Sequence, residues 1–194
     1  MNTICTIRKA RLIPGHTIVL REVEPADAEF ILSLRLDPKK SKYLGATSSR
    51  LVDQVNWIKR YKERSGEAYF IICDLASRRL GCIRMYNAEG ESFHWGSWLM
   101  IDGLSPMVSI ESAVLVYAYG RHLGFLNAKL DVLRINRHAC NFHEKLFGAE
   151  VIQVSDDSLS YVVRAERIDV AIAKYGSHIP MPLNVVYHEN PFSK

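Results

Sequence analysis

Three strand-like segments follow one another with no helix between them: Tyr69 to Cys73, Gly81 to Tyr86 and Phe93 to Ile101. No other feature of the sequence restricts the fold as much. Polar turn signals at Ser77 to Arg79 and Asn87 to Gly90 separate the three. The first is an unbroken apolar run, the pattern of a strand buried on both faces. The next strand, Lys129 to Ile135, is reached only through a helix at Ser109 to His122, whose apolar stripe is Ile110, Val114, Tyr117 and Ala118. A meander followed by strand–helix–strand alternation implies a mixed sheet with helices on both faces.

The remaining segments fit that frame. Thr17 to Arg21 reads as a strand. Pro25 opens a helix with Phe30, Ile31 and Leu34 on its apolar face, and a second helix follows Ser48 and Ser49 and stops at Gly66. A short helix at His138 to Leu146, strands at Val151 to Val154 and Leu159 to Val163, and a helix-like stretch at 167–175 complete the order. The expected class is α/β (α+β) with a central sheet of six to seven strands. Residues 1–16 read as a lead with a Pro14-Gly15 turn, 17–175 as one domain, and 176–194 as an extended tail containing Pro180, Pro182 and Pro191.

With 194 residues, 48% hydrophobic and 24% charged, the chain suits one globular domain and excludes disordered or low-complexity classes. Its longest wholly apolar stretch, Ala113 to Tyr119, falls far short of the about 20 residues a bilayer helix needs. A net charge of +4 is compatible with a phosphate-bearing ligand but too weak for a nucleic-acid footprint. Cys5, Cys73, Cys82 and Cys140 form no metal-ligand spacing, so no metal is expected. Met1 to Cys5 shows no secretory pattern, and a cytoplasmic location is the expectation.

The loop from Asp102 to Ser109, feeding a helix at the carboxyl end of a strand, is the best ligand site that the residues alone suggest. Unpaired N–H groups at a helix start suit phosphate, and Gly103, Ser105 and Ser109 add backbone freedom and hydroxyls. An ordinary capped helix is the competing reading.

The element order, together with the segment Asn136 to Glu150 (NRHACNFHEKLFGAE) and the strand His94 to Met100 (HWGSWLM), resembles the GNAT superfamily of acyl-CoA N-acyltransferases. The likeness covers roughly residues 17–166 and is greatest to the branch of ribosomal-protein and nucleotide-amino-sugar acetyltransferases. Asn136 takes the place of the family Asn, and Lys145-Leu146 approaches the family's K-L-G-F turn with one extra residue. The family's glycine-rich pyrophosphate loop corresponds to Ser105 to Ile110, which contains neither glycine nor a basic residue.

The resemblance implies acetyl transfer from acetyl-CoA to a primary amine, with a nucleotide-linked amino sugar as the favoured acceptor. A protein N-terminus or another small amine is an alternative acceptor. A non-catalytic GNAT-like binding module is the rival, motivated by the missing glycines. The donor site would comprise Trp98, Leu99, Met100, Gly103, Ser105, Met107, Val108, Ser109, Ile110 and Asn136. The family's oxyanion-binding amide would fall at Trp98 to Met100. His143 occupies the position of the family's thiolate-protonating Tyr, or is a packed histidine of a short helix. His94 stands where relatives carry a Glu base, or is a cross-strand structural residue. Tyr43 and Trp95 are candidate acceptor contacts, or respectively a loop aromatic and a core residue. A homodimer is compatible with the family.

Overall fold

The computed structural model describes residues 5–188. Eight strands form one sheet: β1 (Leu12–Pro14), β2 (Ile18–Glu22), β3 (Ala68–Asp74), β4 (Arg79–Glu89), β5 (Ser92–Met100), β6 (Asn127–Leu133), β7 (Glu150–Val154) and β8 (Ser158–Val163). Their spatial order is β1-β2-β3-β4-β5-β6-β8-β7. Every neighbouring pair is antiparallel except β5 and β6, which are parallel. That exception follows from the connection. β5 leads through α4 (Pro106–His122) before the chain returns as β6.

The sheet is wider than expected because β1 lies in the stretch read as a lead. Pro14 is tolerated there because β1 is an edge strand. Ile7, Ala10 and Ile13 are buried in the same core as the sheet. In the tail, Val186 bridges back to Leu12, whereas Pro191 lies outside the described residues.

The two faces carry separate cores. On one, α1 (Ala28–Leu36) and α3 (Leu51–Glu63) pack Ile31, Leu34, Ile58 and Tyr61 against Tyr69, Ile71, Cys73, Cys82 and Leu99. On the other, α4 and α6 (Ala165–Tyr175) cover Phe70, Ile72, Ile83, Met85, Phe93 and Trp95. β3 contributes alternate residues to both cores, as its continuous apolar run requires. Between α1 and α3 lies the short α2 (Pro38–Ser41), which the sequence pattern does not reveal.

α4 is buried continuously from Ile110 to Gly120, so it is a core helix and not a one-sided amphipathic one. Its single buried charge, Glu111, is satisfied by the chain that precedes β2. The carboxylate accepts from the backbone N–H of His16 at 2.7 Å and of Thr17 at 2.9 Å, and from the Thr17 hydroxyl.

Close contact between α4 and β5 depends on Gly120, because a Cβ there would stand 2.2 Å from the Phe93 ring. Helix propensity alone would make Gly120→Ala stabilising by about 1 kcal/mol. Phe93 is itself buried against Phe125 at 5.4 Å between ring centroids and has little room to move. Overpacking, which typically costs about 1–3 kcal/mol, therefore wins. Gly120→Ala should lower the urea midpoint, and an unchanged or raised midpoint would show that the ring yields freely.

Candidate active site

β5 and β6 are paired over one short stretch only, Ser92 to His94 against Asn127 to Lys129. Beyond His94 the two strands part. The cause lies in β5 itself. Its register against β4 runs from Arg84↔Gly96 to Cys82↔Leu99, which places one more residue on β5 than on β4. Ser97 absorbs the excess with φ +47°, a left-handed conformation unusual for a residue other than glycine. The Cys82 thiol donates to the Ser97 carbonyl at 3.3 Å and holds the bulge from the neighbouring strand.

A bulge inverts the side-chain alternation that follows it. Trp95 and Trp98 are three residues apart and would face opposite ways in a regular strand. Here both face α4 and α5 (Arg137–Phe147). Their rings lie 5.7 Å apart, Trp95 sits edge-on to Tyr117, and the Trp98 indole N–H donates to the Ser112 hydroxyl at 3.1 Å. Leu99 turns to the α1–α3 side.

The parted strands open a cleft of about 1070 Å³. β5 from Trp95 to Met100 forms one wall and β6 from Leu130 to Leu133 another. α5 closes it with Phe142 and His143, and Lys39, Lys40 and Tyr43 stand at its rim. The rim is tied to the loop after β5: Asp102 accepts from Lys40 at 2.8 Å and from Lys39 at 3.0 Å, and Lys40 also pairs with Asp37.

Of the residues singled out in the sequence, Trp95, Trp98, Leu99, Met100, Ser109, Ile110, Asn136, His143 and Tyr43 line this cleft. Gly103, Ser105, Met107 and Val108 do not. α4 begins at Pro106, three residues earlier than the pattern indicates, and Ser105 is its N-cap. The Ser105 hydroxyl accepts from Met107 N–H at 3.3 Å, and the Val108 N–H bonds the Ser105 carbonyl at 3.0 Å. Pro106 has no N–H to offer. The first turn is thus largely satisfied by its own cap, and Gly103 serves a left-handed turn at φ +78°. Asn136 similarly uses its side-chain oxygen to cap α5, accepting from Ala139 N–H at 3.2 Å.

His94 is not brought to the cleft. Its neighbour Trp95 points to α5, so His94 points to the other face, where its ring lies 6.0 Å from Tyr86 and its Nε2 3.7 Å from Glu89. Strict alternation places His94 with Trp98 and Met100, and the bulge removes that relation.

His143 is buried among rings, with centroids 5.3 Å from Trp95, 5.3 Å from Phe142 and 5.9 Å from Trp98. Burial alone pushes its pKa down from 6.5 to about 4, so the imidazole is neutral near pH 7. A neutral ring donates a hydrogen bond but is no imidazolium acid.

Asp131 escapes the sequence reading. It lies on β6 at the cleft wall, exposed between the buried Leu130 and Val132, and accepts from the Ser160 hydroxyl at 2.6 Å. Its position in an alternating strand is the available signal, since every second residue there faces away from the core.

A sheet opened between two parallel neighbours, with a helix starting beside the gap, provides a cleft in which an extended ligand can pair with strand backbone. The chain belongs to the GNAT acetyltransferase family, whose domain description matches residues 17–146. Membership implies acetyl-CoA as cosubstrate. Among solved structures, apo FdhC, described as a nucleotide-linked sugar GNAT, superposes with TM-score 0.76 at 30% identity, over 90% of this chain and 99% of that one. A GCN5-related N-acetyltransferase from Brucella melitensis gives TM-score 0.72 at 13% identity, over 91% and 89% of the two chains. A mutant of the spermidine N-acetyltransferase SpeG from Vibrio cholerae gives TM-score 0.65 at 13% identity, over 78% and 96%. The last two speak for the fold alone. No curated protein sequence matches this chain.

The low pKa of His143 carries a stability consequence. Between pH 6.5 and about 4 the unfolded chain binds a proton at this residue that the folded chain refuses. Stability contributed by the neutral ring is complete above pH 6.5 and is lost as pH falls through that window, with a slope of at most about 1.4 kcal/mol per pH unit. In His143→Phe that part of the acid-side slope should vanish from urea unfolding measured at pH 4.5 to 7. An unchanged slope would mean that the ring titrates normally in the folded state.

Proposed function

We propose that the chain transfers the acetyl group of acetyl-CoA to the primary amine of a nucleotide-linked amino sugar. The observation that carries the acceptor class is the 30% identity, over nearly the whole of both chains, to a nucleotide-linked sugar GNAT. The cleft suits the donor, because pairing between β5 and β6 ends at His94 and leaves backbone groups of both strands facing an open space. Its volume is at the upper end of the roughly 300–1,000 Å³ common for ligand sites.

When bound, acetyl-CoA supplies an electrophilic thioester carbonyl. The rest is the work of the chain. Trp98, Leu99 and Met100, just beyond the bulge, present the backbone of the oxyanion site. Leu104, Ser109 and Ile110 on the α4 side and the cations Lys39 and Lys145 at the rim would hold the carrier. Because the α4 amides are occupied by the Ser105 cap, side-chain cations matter more here than a glycine-rich loop would require.

His143, at the family's Tyr position, donates a hydrogen bond from its neutral ring to the departing sulfur. Asp131, on the β6 wall, attracts the acceptor as an ammonium. Its carboxylate takes the proton that the amine must shed to become a nucleophile.

Acetyl-CoA with a nucleotide-linked amino sugar should release CoA thiol, and the same sugar acetylated beforehand at nitrogen should not. His143→Phe should lower kcat by about 10²-fold with acetyl-CoA affinity nearly unchanged. Asp131→Asn should lower kcat/KM for the amine by a similar factor. Wild-type turnover in either variant would remove that residue from the chemistry. Absence of any thiol release would leave the non-catalytic reading standing.

A further inference from the structure

A second cavity, about 380 Å³, opens on the α1–α3 side of the sheet. Its wall joins Arg35 at the end of α1, the loop from Ala46 to Ser48, Trp57 and Arg60 of α3, Tyr69 of β3, Arg84 of β4 and Ser97 of β5. Ser97 also lines the main cleft, so the bulge stands between the two cavities.

The second cavity is basic. Three arginines share its wall with one carboxylate, Asp53, which accepts from the Ser48 hydroxyl at 2.6 Å and keeps its charge, so a positive excess remains. The arginines differ in how far they are committed. Arg84 is ion-paired to Glu67 and lies over the rings of Trp57 at 5.1 Å and Tyr86 at 4.9 Å. Among the described residues Arg35 makes one side-chain hydrogen bond, from Nε to the Thr47 hydroxyl at 2.7 Å, which fixes the plane of its guanidinium at the cavity wall. Arg60 has no side-chain ion pair among the described residues. Arg35 and Arg60, planar guanidinium groups with no ion pair among the described residues, are suited to phosphate oxygens.

We propose that this cavity is the acceptor's anion subsite, with Arg35 and Arg60 gripping its phosphate groups while the amine reaches the cleft past Ser97. This rests on the acceptor class proposed above and adds where and by which residues it is recognised. The donor's phosphates lie elsewhere, towards α4 and the Lys39 rim. Arg84, held by Glu67 and Trp57, shapes the wall.

The test uses the purified chain saturated with CoA, so that the donor site is already filled, and calorimetric titration with dTDP and with inorganic pyrophosphate. Both should bind, more weakly as salt rises. The double variant R35M/R60M should bind them at least tenfold more weakly, with CoA affinity and urea midpoint retained. The KM for a dTDP-linked amino sugar should rise by the same factor while kcat falls less than threefold, and R35K/R60K should recover part of the loss.

Equal dTDP affinity in the double variant, or no binding to the CoA-saturated wild type, would overturn the subsite. Failure of the acceptor class looks different. If the wild type acetylates the free amino sugar as well as the dTDP-linked one, yet pyrophosphate still binds through Arg35 and Arg60, the subsite stands and the acceptor is another phosphorylated amine.

Discussion

One additional residue on β5 organises the active region. A regular β5 would run beside β6 along its whole length and close the sheet. The extra residue at Ser97 bends the strand away after three paired positions, and the gap becomes the cleft. A left-handed serine costs about 1–3 kcal/mol and persists only where its surroundings hold it. They do so from two sides. The Cys82 thiol binds the Ser97 carbonyl, and the Trp98 indole is fastened to Ser112 on α4, whose hydroxyl in turn donates to the Ser109 carbonyl at 2.9 Å. Sheet, bulge and the first turns of α4 are therefore one mechanical unit.

The same unit explains the state of His143. Because the bulge turns Trp98 to the side of Trp95, two indoles and Phe142 surround the imidazole. A tyrosine in such an enclosure would remain a neutral O–H donor, its phenol pushed to higher pKa by burial. Burial drives histidine to its neutral form as well, from the opposite direction. Either residue then presents a single uncharged donor to a leaving sulfur, so the exchange preserves the hydrogen bond while changing the ring that makes it.

Element order is legible in the sequence because the meander and the helix between β5 and β6 leave strong periodic signals. β1 is not, since three residues ending in Pro14 resemble a turn until β2 and Val186 pair with them. The start of α4 is obscured although Ser105-Pro106 is a sound N-cap and first-turn signal, because the same residues read equally well as a phosphate loop. Strict alternation groups His94 with Trp98, and a one-residue bulge leaves no mark in composition. Arg35, Arg60 and Arg84 are distant in sequence and meet only when α1, α3 and β4 assemble. Local pattern carries no information about such convergence.

The placement of two cavities on opposite sides of one bulge has an electrostatic logic on the proposed reading. Acetyl-CoA and a nucleotide-linked sugar are both polyanions, and their reacting atoms must come within bonding distance. Bringing two diphosphates into one groove would add a repulsion that a low-dielectric cleft amplifies. Routing the donor along the α4 side and the acceptor along the α1–α3 side lets thioester and amine meet at Ser97 while the sheet separates their charges. Each tail then needs its own cations, Lys39 and Lys145 on one side and Arg35 and Arg60 on the other. A chain with a net charge of only +4 can supply both, because the requirement is for a few placed cations and not for a basic surface.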